Sequence, residues 1–199
     1  MDEIIDEYKT LGNDVSEGFY SEKRSKFFAF ALHVESEEEI HKTIDQYRKK
    51  YYDARHVCYA YVLDADRKRF RANDDGEPSS TAGKPILGQI NKRELTNVLV
   101  IVVRYYGGVN LGTGGLIVAY RTAAEAALEK ANIVVCQVEE EVSYSFPYPM
   151  MNSVMRVIKE LSPRILSQHY DNTCEIKLSI TKSKAPILRN RLEKLSFEG

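Results

Sequence analysis

The feature that most constrains this chain is a glycine-rich segment, RYYGGVNLGTGG, at residues 104–115. It follows an apolar run at residues 98–103 and precedes residues 116–131, whose pattern is typical of a helix. Glycine adopts positive φ at little cost and lets a second backbone or a ligand come close. The segment therefore predicts a tight strand-to-helix turn. Such a turn can bind an anion, contact a partner or only redirect the chain.

The two common phosphate-binding motifs do not fit this segment or its surroundings. In a P-loop, four residues separate the first glycine from Gly-Lys, but here six residues separate Gly76 from Gly83, and Pro85 follows Lys84. The dinucleotide motif needs a third glycine where this chain has Ile117. Two interpretations stay open. Either the helix that starts near Thr113 offers free backbone N–H groups to an anion, or the glycines serve only a tight turn and close packing.

The first two thirds of the sequence alternate between strand and helix patterns. Ser36 and Glu39 form a capping box at the start of an amphipathic helix. Residues 64–85 are polar and without period, which predicts a long loop that is either functional or mobile. Thr113 is the predicted cap of the helix that follows the glycines. The expected elements are strands within 15–34, at 56–63 and at 96–106, and helices from Ser36, at 85–93 and at 114–131.

The last third has the pattern of a second unit. One long strand is expected at 133–146, followed by a helix, a hairpin turning at Asp171-Asn172, and a last helix from Pro186. The order β-α-β-β-α is most of a ferredoxin-like unit, and no closing strand is recognisable after it. We therefore predict an α+β chain with domains at residues 1–136 and 137–199.

Charge and hydropathy narrow the class of protein. The 199 residues carry a net charge of −1, so binding to nucleic acid would have to be local. The chain shows no signal peptide and no apolar run long enough to span a membrane, so we expect a cytosolic protein without a membrane partner. Three widely spaced cysteines, Cys58, Cys136 and Cys174, are typical of reduced thiols.

The loop at residues 74–84 carries several reactive side chains. Asp74, Asp75 and Glu77 could hold a hard cation, but their spacing is more typical of turns. A second hypothesis for this loop is the active site of a serine-lysine hydrolase, formed by the Ser79–Thr81 stretch and Lys84. The sequence has no nucleophile-elbow motif to support it. We predict no catalytic residue, no metal and no cofactor.

Two basic features are candidates for contacts with a partner. Arg104 and one of its neighbouring tyrosines can share a face of their strand, because side chains alternate. They form either an interface anchor or a core tyrosine with an arginine that pairs with an acid such as Asp75. His56 is either a half-buried strand residue or a contact beside the glycine turn. A secondary basic surface, or only a solvated helix face, is expected from Lys182, Lys184, Arg189, Arg191 and Lys194.

Three segments together resemble a known family. HVCYAYVL, DDGEPSSTAGKPIL and LTNVLVIVVRYYGGVNLGTGGLIVAYRTAAEAAL, in this order and spacing, are similar to the IMPACT family over residues 15–135. The resemblance implies an N-terminal domain like the second domain of ribosomal protein S five. It also implies a C-terminal ferredoxin-like module similar to domain V of elongation factor G. Small-molecule kinases with a glycine-rich phosphate loop share the first of these folds.

The resemblance also implies a function. Eukaryotic members bind the ribosome-associated activator of the amino-acid-starvation kinase and restrain the translational stress response, and they are regulators rather than known catalysts. For this chain we expect a non-catalytic regulatory or binding protein linked to the ribosome, RNA or a translation-associated protein. The alternative is an enzyme that binds a nucleotide or phosphorylated small molecule at the glycine-rich helix start. The expected contact surface comprises His56, Asp74, Asp75, Glu77, Thr81, Lys84, Arg104, Tyr105, Gly107, Gly108, Gly112, Thr113, Gly114, Gly115 and Arg121.

Overall fold

The computed structural model describes residues 4–171 and 173–195, which form two compact units. The N-terminal unit comprises residues 8–136, and the C-terminal unit comprises the described residues among 1–7 and 137–199. Each unit has its own antiparallel sheet and its own apolar core. Helices and antiparallel strands are combined in both units, so the chain is α+β.

The N-terminal unit is built on a five-stranded sheet in the order β2-β3-β6-β4-β5, with every neighbouring pair antiparallel. A separate two-stranded sheet joins β1 and β7. The strands are β1 (Glu7–Leu11), β2 (Ser16–Glu22), β3 (Ser25–His33), β4 (His56–Leu63), β5 (Arg69–Asn73), β6 (Val98–Tyr105) and β7 (Ile133–Gln137). The predicted strands within 15–34, at 56–63 and at 96–106 are confirmed as β2, β3, β4 and β6, within a residue or two at most ends.

Helices cover both faces of this sheet: α1 (Glu37–Lys50), α2 (Gly83–Lys92) and α3 (Gly112–Lys130). One apolar core lies between the sheet and α1, and another lies between the sheet and α2 with α3. Strand β6 is apolar on both faces because it is central and covered twice. Its even-numbered residues face α2 and α3, and its odd-numbered residues face α1. This alternation sends the Arg104 and Tyr105 side chains to opposite faces.

The start of α1 confirms Ser36 as the helix cap, whereas the Glu39 carboxylate binds the backbone N–H one residue before that cap rather than the N–H of Ser36 itself. Ser36 accepts a hydrogen bond from the Glu39 backbone N–H at 3.2 Å, and the Glu39 carboxylate accepts one from the Glu35 N–H at 2.8 Å. Three glutamates occupy the first turn and three basic residues the last, which complements the helix dipole.

The structure corrects four predicted element boundaries between residues 64 and 146. The segment 64–85 is not all loop, since it contains β5, an exposed edge strand without apolar alternation. Helix α2 begins at Gly83 rather than Pro85. Helix α3 begins at Gly112, so Thr113 lies in its first turn and does not cap it. The long strand expected at 133–146 is interrupted at Val138, whose N–H donates to Asp6 and whose carbonyl accepts from Lys182.

The C-terminal unit packs two helices on one face of a three-stranded antiparallel sheet, β8-β10-β9. Its elements are β8 (Glu139–Pro147), α4 (Met151–Leu161), β9 (Arg164–His169), β10 (Thr173–Thr181) and α5 (Ala185–Leu195). Asn172 of the predicted hairpin turn and any segment after α5 lie outside the described residues. Within the part of the chain that the structure describes, no helix is both long and apolar enough to cross a membrane.

Candidate functional site

A groove of about 650 Å³ lies at the end of the sheet in the N-terminal unit. We call it the α3 groove, because the glycine turn and the start of α3 form one of its walls. The other walls come from the residues at the start of β4, the 74–84 loop and the end of β6. Its lining includes Arg55, His56, Glu77, Pro78, Arg104, Tyr106, Asn110, Leu111, Gly112, Thr113 and Leu116.

Arg104 and Glu77 form a buried ion pair at the floor of the α3 groove. Arg104 Nη1 donates to Glu77 Oε1 at 2.5 Å, and the two side chains are 6% and 3% exposed. Tyr120 of α3 donates to the same carboxylate oxygen at 2.7 Å. Buried charges persist in a fold when they are paired and hydrogen bonded. The sequence-based alternative in which Arg104 pairs with a loop acid is therefore realised, with Glu77 in place of Asp75.

The Arg104 guanidinium keeps an unused donor. Its Nε is buried and has no hydrogen-bond partner within the described residues. The group lies between two aromatic rings, with Cζ 5.6 Å from the centre of Phe27 and 5.5 Å from the centre of Tyr106. Phe27 is fully buried, whereas Tyr106 is half exposed on the groove side. Tyr106 is thus the aromatic neighbour that shares a face with Arg104.

His56 faces Glu77 with one ring nitrogen fixed by the backbone. Its Nδ1 lies 2.7 Å from the Asp75 carbonyl oxygen, which can only accept, so Nδ1 carries the proton. Its Nε2 then points toward Glu77 Oε2 at 3.7 Å. His56 is half-buried at the start of β4 and lines the α3 groove, and its role as a contact stays a prediction.

Cys58 and Tyr120 extend the polar cluster into the core. Cys58 Sγ lies 3.3 Å from Tyr120 Oη and 3.0 Å from the Asp74 carbonyl oxygen. Burial raises the pKa of the Cys58 thiol well above its usual range, and burial together with the neighbouring thiol does the same to the pKa of Tyr120. Both groups are therefore neutral hydrogen-bonding groups at physiological pH.

The other two acids of the loop hold the loop in place. Asp74 accepts hydrogen bonds from the backbone N–H groups of Ser80, Ala82 and Gly83 at 2.8, 3.0 and 2.8 Å, and so caps α2. Asp75 binds Arg48 and the Val57 N–H, each at 2.6 Å. These carboxylates fix one wall of the groove. Among the described residues, no three His, Cys, Asp or Glu side chains come together as metal ligands.

Different structural constraints explain why glycine occupies several positions of the turn. A Cβ on Gly107 would lie 2.2 Å from the Arg24 carbonyl carbon, so only glycine fits beside the β2–β3 turn. Gly108 and Gly112 have positive φ values of 82° and 72°. Gly114 has ordinary helical φ, and a Cβ there would meet nothing within 4 Å. The fold therefore requires the first three glycines but not Gly114.

The structure places the remaining predicted contact residues in several environments. Tyr105 is outside the groove, on the α1 side of the sheet, where its hydroxyl donates to Asp53 at 2.8 Å. That hydrogen bond and burial raise the pKa of Tyr105 to about 12. Thr81 is buried and donates to the Pro78 carbonyl at 2.6 Å. Lys84 and Arg121 are exposed on α2 and α3, and Gly114 and Gly115 line a separate, smaller pocket of about 220 Å³.

The predicted basic surface of the C-terminal unit is partly neutralised. Arg189 pairs with Glu140, and Arg191 pairs with Glu160. Lys182, Lys184 and Lys194 are exposed to solvent. The local excess of positive charge is therefore smaller than residues 182–194 alone indicate, because Glu140 of β8 and Glu160 of α4 lie beside the two arginines.

Sequence reasoning missed three contributors to the α3 groove and marked a fourth, Tyr120, only through the family resemblance. Arg55 and Asn110 line the groove, Tyr106 covers Arg104, and Tyr120 binds Glu77 from α3. Side-chain alternation was the signal for Tyr106, since it lies two residues after Arg104. No local signal identified Tyr120, because its partner is 43 residues away in the chain.

This chain is similar to a known domain family and to individual known proteins. Residues 23–128 match the model of the Impact N-terminal domain. The chain is 31% identical over 162 residues to IMPACT family member YvyE of Bacillus subtilis, covering 81% of this chain and 75% of the relative.

Two solved structures are also similar. One, described as the crystal structure of a hypothetical protein, has a TM-score of 0.71 at 26% identity and covers 97% of this chain and 94% of its own. The other, described as the two-domain translational regulator Yih1, has a TM-score of 0.40 at 28% identity and covers 61% of this chain and 50% of its own. The match to the Impact N-terminal domain includes every residue that lines the α3 groove. This match and the 31% identity to YvyE show that the chain belongs to the IMPACT family.

Proposed function

We propose that this chain is a non-catalytic cytoplasmic protein that regulates translation by binding RNA or a protein partner of the ribosome. The α3 groove and the surface around it, formed by the 74–84 loop and the 104–115 turn, are the proposed contact region. The proposal includes the fold assignments implied by the family, with a domain like the second domain of ribosomal protein S five and a ferredoxin-like module. It takes the domains as residues 1–136 and 137–199.

The single observation that carries the proposal is the state of the groove's reactive groups. Arg104 neutralises Glu77, Tyr120 donates a hydrogen bond to the same carboxylate, Cys58 is protonated, and Asp74 caps α2. These groups support a preformed surface better than a nucleophile with its base. Exposed groups that can contact a partner surround the groove, among them Arg55, Tyr106 and Val109.

The link to translation rests on membership of the family. The family resemblance implies that eukaryotic members restrain the translational stress response through a ribosome-associated partner. The shape of the glycine turn depends on Gly107, Gly108 and Gly112. These three glycines belong to the segment that carries the family resemblance. We therefore expect a related contact surface at the same turn in this chain.

The test is co-sedimentation of the tagged protein with ribosomes, with and without nuclease, at two salt concentrations. The variant is Arg55→Glu with Gly114→Asp, because both positions are exposed and neither belongs to the buried ion pair. The matched control, Arg156→Glu with Ser153→Asp, makes the same change of charge on exposed positions of α4. We expect the groove variant to lose association and the control to keep it.

Nuclease treatment separates RNA from protein partners, since only association through RNA is lost on digestion. Association of the folded groove variant at the level of the unmodified protein would show that this surface is not the contact region.

A second candidate is an enzyme that binds a nucleotide or phosphorylated small molecule in the α3 groove. The observation that favours it is the uncapped start of α3, which faces the groove. Titration with ATP, GTP and their magnesium complexes should then raise the thermal unfolding temperature, because a ligand of the native state stabilises it. No shift at ligand concentrations far above a plausible Kd would exclude this candidate.

A further inference from the structure

We infer that the start of α3 and Arg104 together form a binding site for a phosphate group in the α3 groove. The inference rests on the proposed function and names the chemistry that its contact surface recognises. A phosphodiester of RNA and the phosphate of a free nucleotide both supply this chemistry, and the experiment below distinguishes them.

The three helices of the N-terminal unit differ in how the N–H groups of their first turns are satisfied. Side-chain oxygens satisfy the first N–H groups of two of them: Ser36 caps α1, and Asp74 caps α2. Among the described residues no side chain caps α3, which is the longest of the three helices, and its first turn has no acidic residue. The N–H groups at its start, together with the positive end of its dipole, therefore remain available to an anion.

The second argument is independent and concerns Arg104. The residue is 5% exposed and lines the same groove as Gly112 and Thr113. Its Nε has no hydrogen-bond partner within the described residues, although its Nη1 is bound to Glu77. An unsatisfied buried donor on a charged group is costly, and an oxyanion acceptor removes that cost. The half-exposed Tyr106 ring lies over the guanidinium on the groove side, with its centre 5.5 Å from Arg104 Cζ.

The charges in the groove favour an anion. Arg55 and Arg104 contribute two positive charges and Glu77 one negative charge, so the net charge is positive even with His56 neutral. Arg55 is exposed and forms no ion pair within the described residues. The neighbouring Asp75 carboxylate is held by Arg48 and the Val57 N–H, so its charge is compensated outside the groove.

The experiment uses the full chain and inorganic phosphate as the probe. Amide resonances of Gly112, Thr113 and Gly114 are followed during titration with phosphate, with sodium chloride at matched ionic strength as the reference. We expect saturable shifts with phosphate and none with chloride. Shifts that do not saturate, or that chloride reproduces, would overturn the inference.

A pair of variants at one exposed position supplies the control. Thr113→Glu places a carboxylate in the first turn, where it competes with the anion while favouring the helix dipole. Thr113→Gln has the same size without the charge. We expect Thr113→Glu to weaken phosphate binding about tenfold or more and Thr113→Gln to leave it within about twofold. Equal affinity in the two folded variants would contradict the inference.

Two further measurements identify the source of the phosphate and distinguish failure of the site from failure of the proposed function. A short single-stranded RNA that binds more tightly than AMP indicates the phosphodiester, and equal affinity indicates a free nucleotide. Phosphate binding without ribosome association upholds the site and rejects the proposed function. Ribosome association without phosphate binding rejects the site alone.

Discussion

At the residue scale, the Arg104–Glu77 pair shows why one charged side chain can end an apolar strand. Arg104 continues the row of even-numbered β6 residues that face α2 and α3, so its head lies inside the unit. Glu77 reaches it from the loop, and Tyr120 reaches Glu77 from α3. Three elements are thereby joined through one carboxylate. Breaking such a pair leaves a buried charge without compensation.

Replacing Arg104 by methionine should therefore destabilise the N-terminal unit by about 3 kcal/mol or more, because Glu77 would stay buried without its cation. The double variant Arg104→Met with Glu77→Gln should recover part of that loss, since it removes both charges. Urea unfolding followed by circular dichroism measures these changes, and the chain has no tryptophan to offer a fluorescence alternative. Arg55→Met, at an exposed position of the same groove, should change the midpoint little. Equal losses in the single and double variants would contradict the pairing argument.

The raised pKa values of Cys58 and Tyr120 predict a loss of stability in alkali. In the unfolded chain these groups ionise near their usual pKa values, about 8.5 and about 10. In the fold, burial raises both pKa values, so the native state holds its protons longer. The stabilisation is complete below about pH 8.5 and decreases as pH rises above that value.

Thermal unfolding between pH 7 and pH 10.5 tests this linkage. The unfolding temperature should stay level up to the thiol range and then fall. Cys58→Ala should shift the onset of the fall to higher pH, because the groups with raised pKa that remain, Tyr120 and Tyr105 among them, are phenols that ionise at about pH 10 in the unfolded chain. An unchanged onset in that variant would show that the thiol is not a source of the alkaline sensitivity.

At the element scale, α2 starts with a cap borrowed from the loop before it. Ala82, at the cap position, has no side-chain acceptor, and Asp74 supplies one from eight residues earlier. The loop and the helix therefore depend on one carboxylate. Asp74→Ala should destabilise the unit by about 1–2 kcal/mol, the usual cost of losing a cap. Asp74→Asn keeps an acceptor oxygen and should cost less, as measured by urea midpoints. A neutral effect of Asp74→Ala would mean that the loop is held by other contacts.

The elements also show what the sequence could predict. Periodicity and capping residues identified β6 and α1, because both patterns follow from burial and local hydrogen bonds. They could not identify β5, because its residues are exposed, carry no apolar alternation and pair with β4 through the backbone. The same limit applies at the site. The glycine turn and Arg104 stood out locally, whereas Tyr120 depends on the distant contact with Glu77.

At the scale of the whole molecule, each unit has its own core. The two cores of the N-terminal unit lie on the two faces of its sheet and use residues 11–128, and the described core of the C-terminal unit begins at Val142. Strands β1 and β7 pair at the two ends of the N-terminal unit. The α3 groove lies entirely within this unit.

A fragment of residues 7–137 should consequently fold by itself and keep the α3 groove, since it contains both faces of the sheet and both strands of the terminal pair. Cooperative thermal unfolding by circular dichroism tests the fold. Slow hydrogen exchange of the β6 amides tests the core, because these lie in the doubly covered central strand. A shorter fragment, 12–132, removes β1 and β7 and should melt at a lower temperature. Rapid exchange of the β6 amides in the 7–137 fragment would show that the N-terminal unit depends on the rest of the chain.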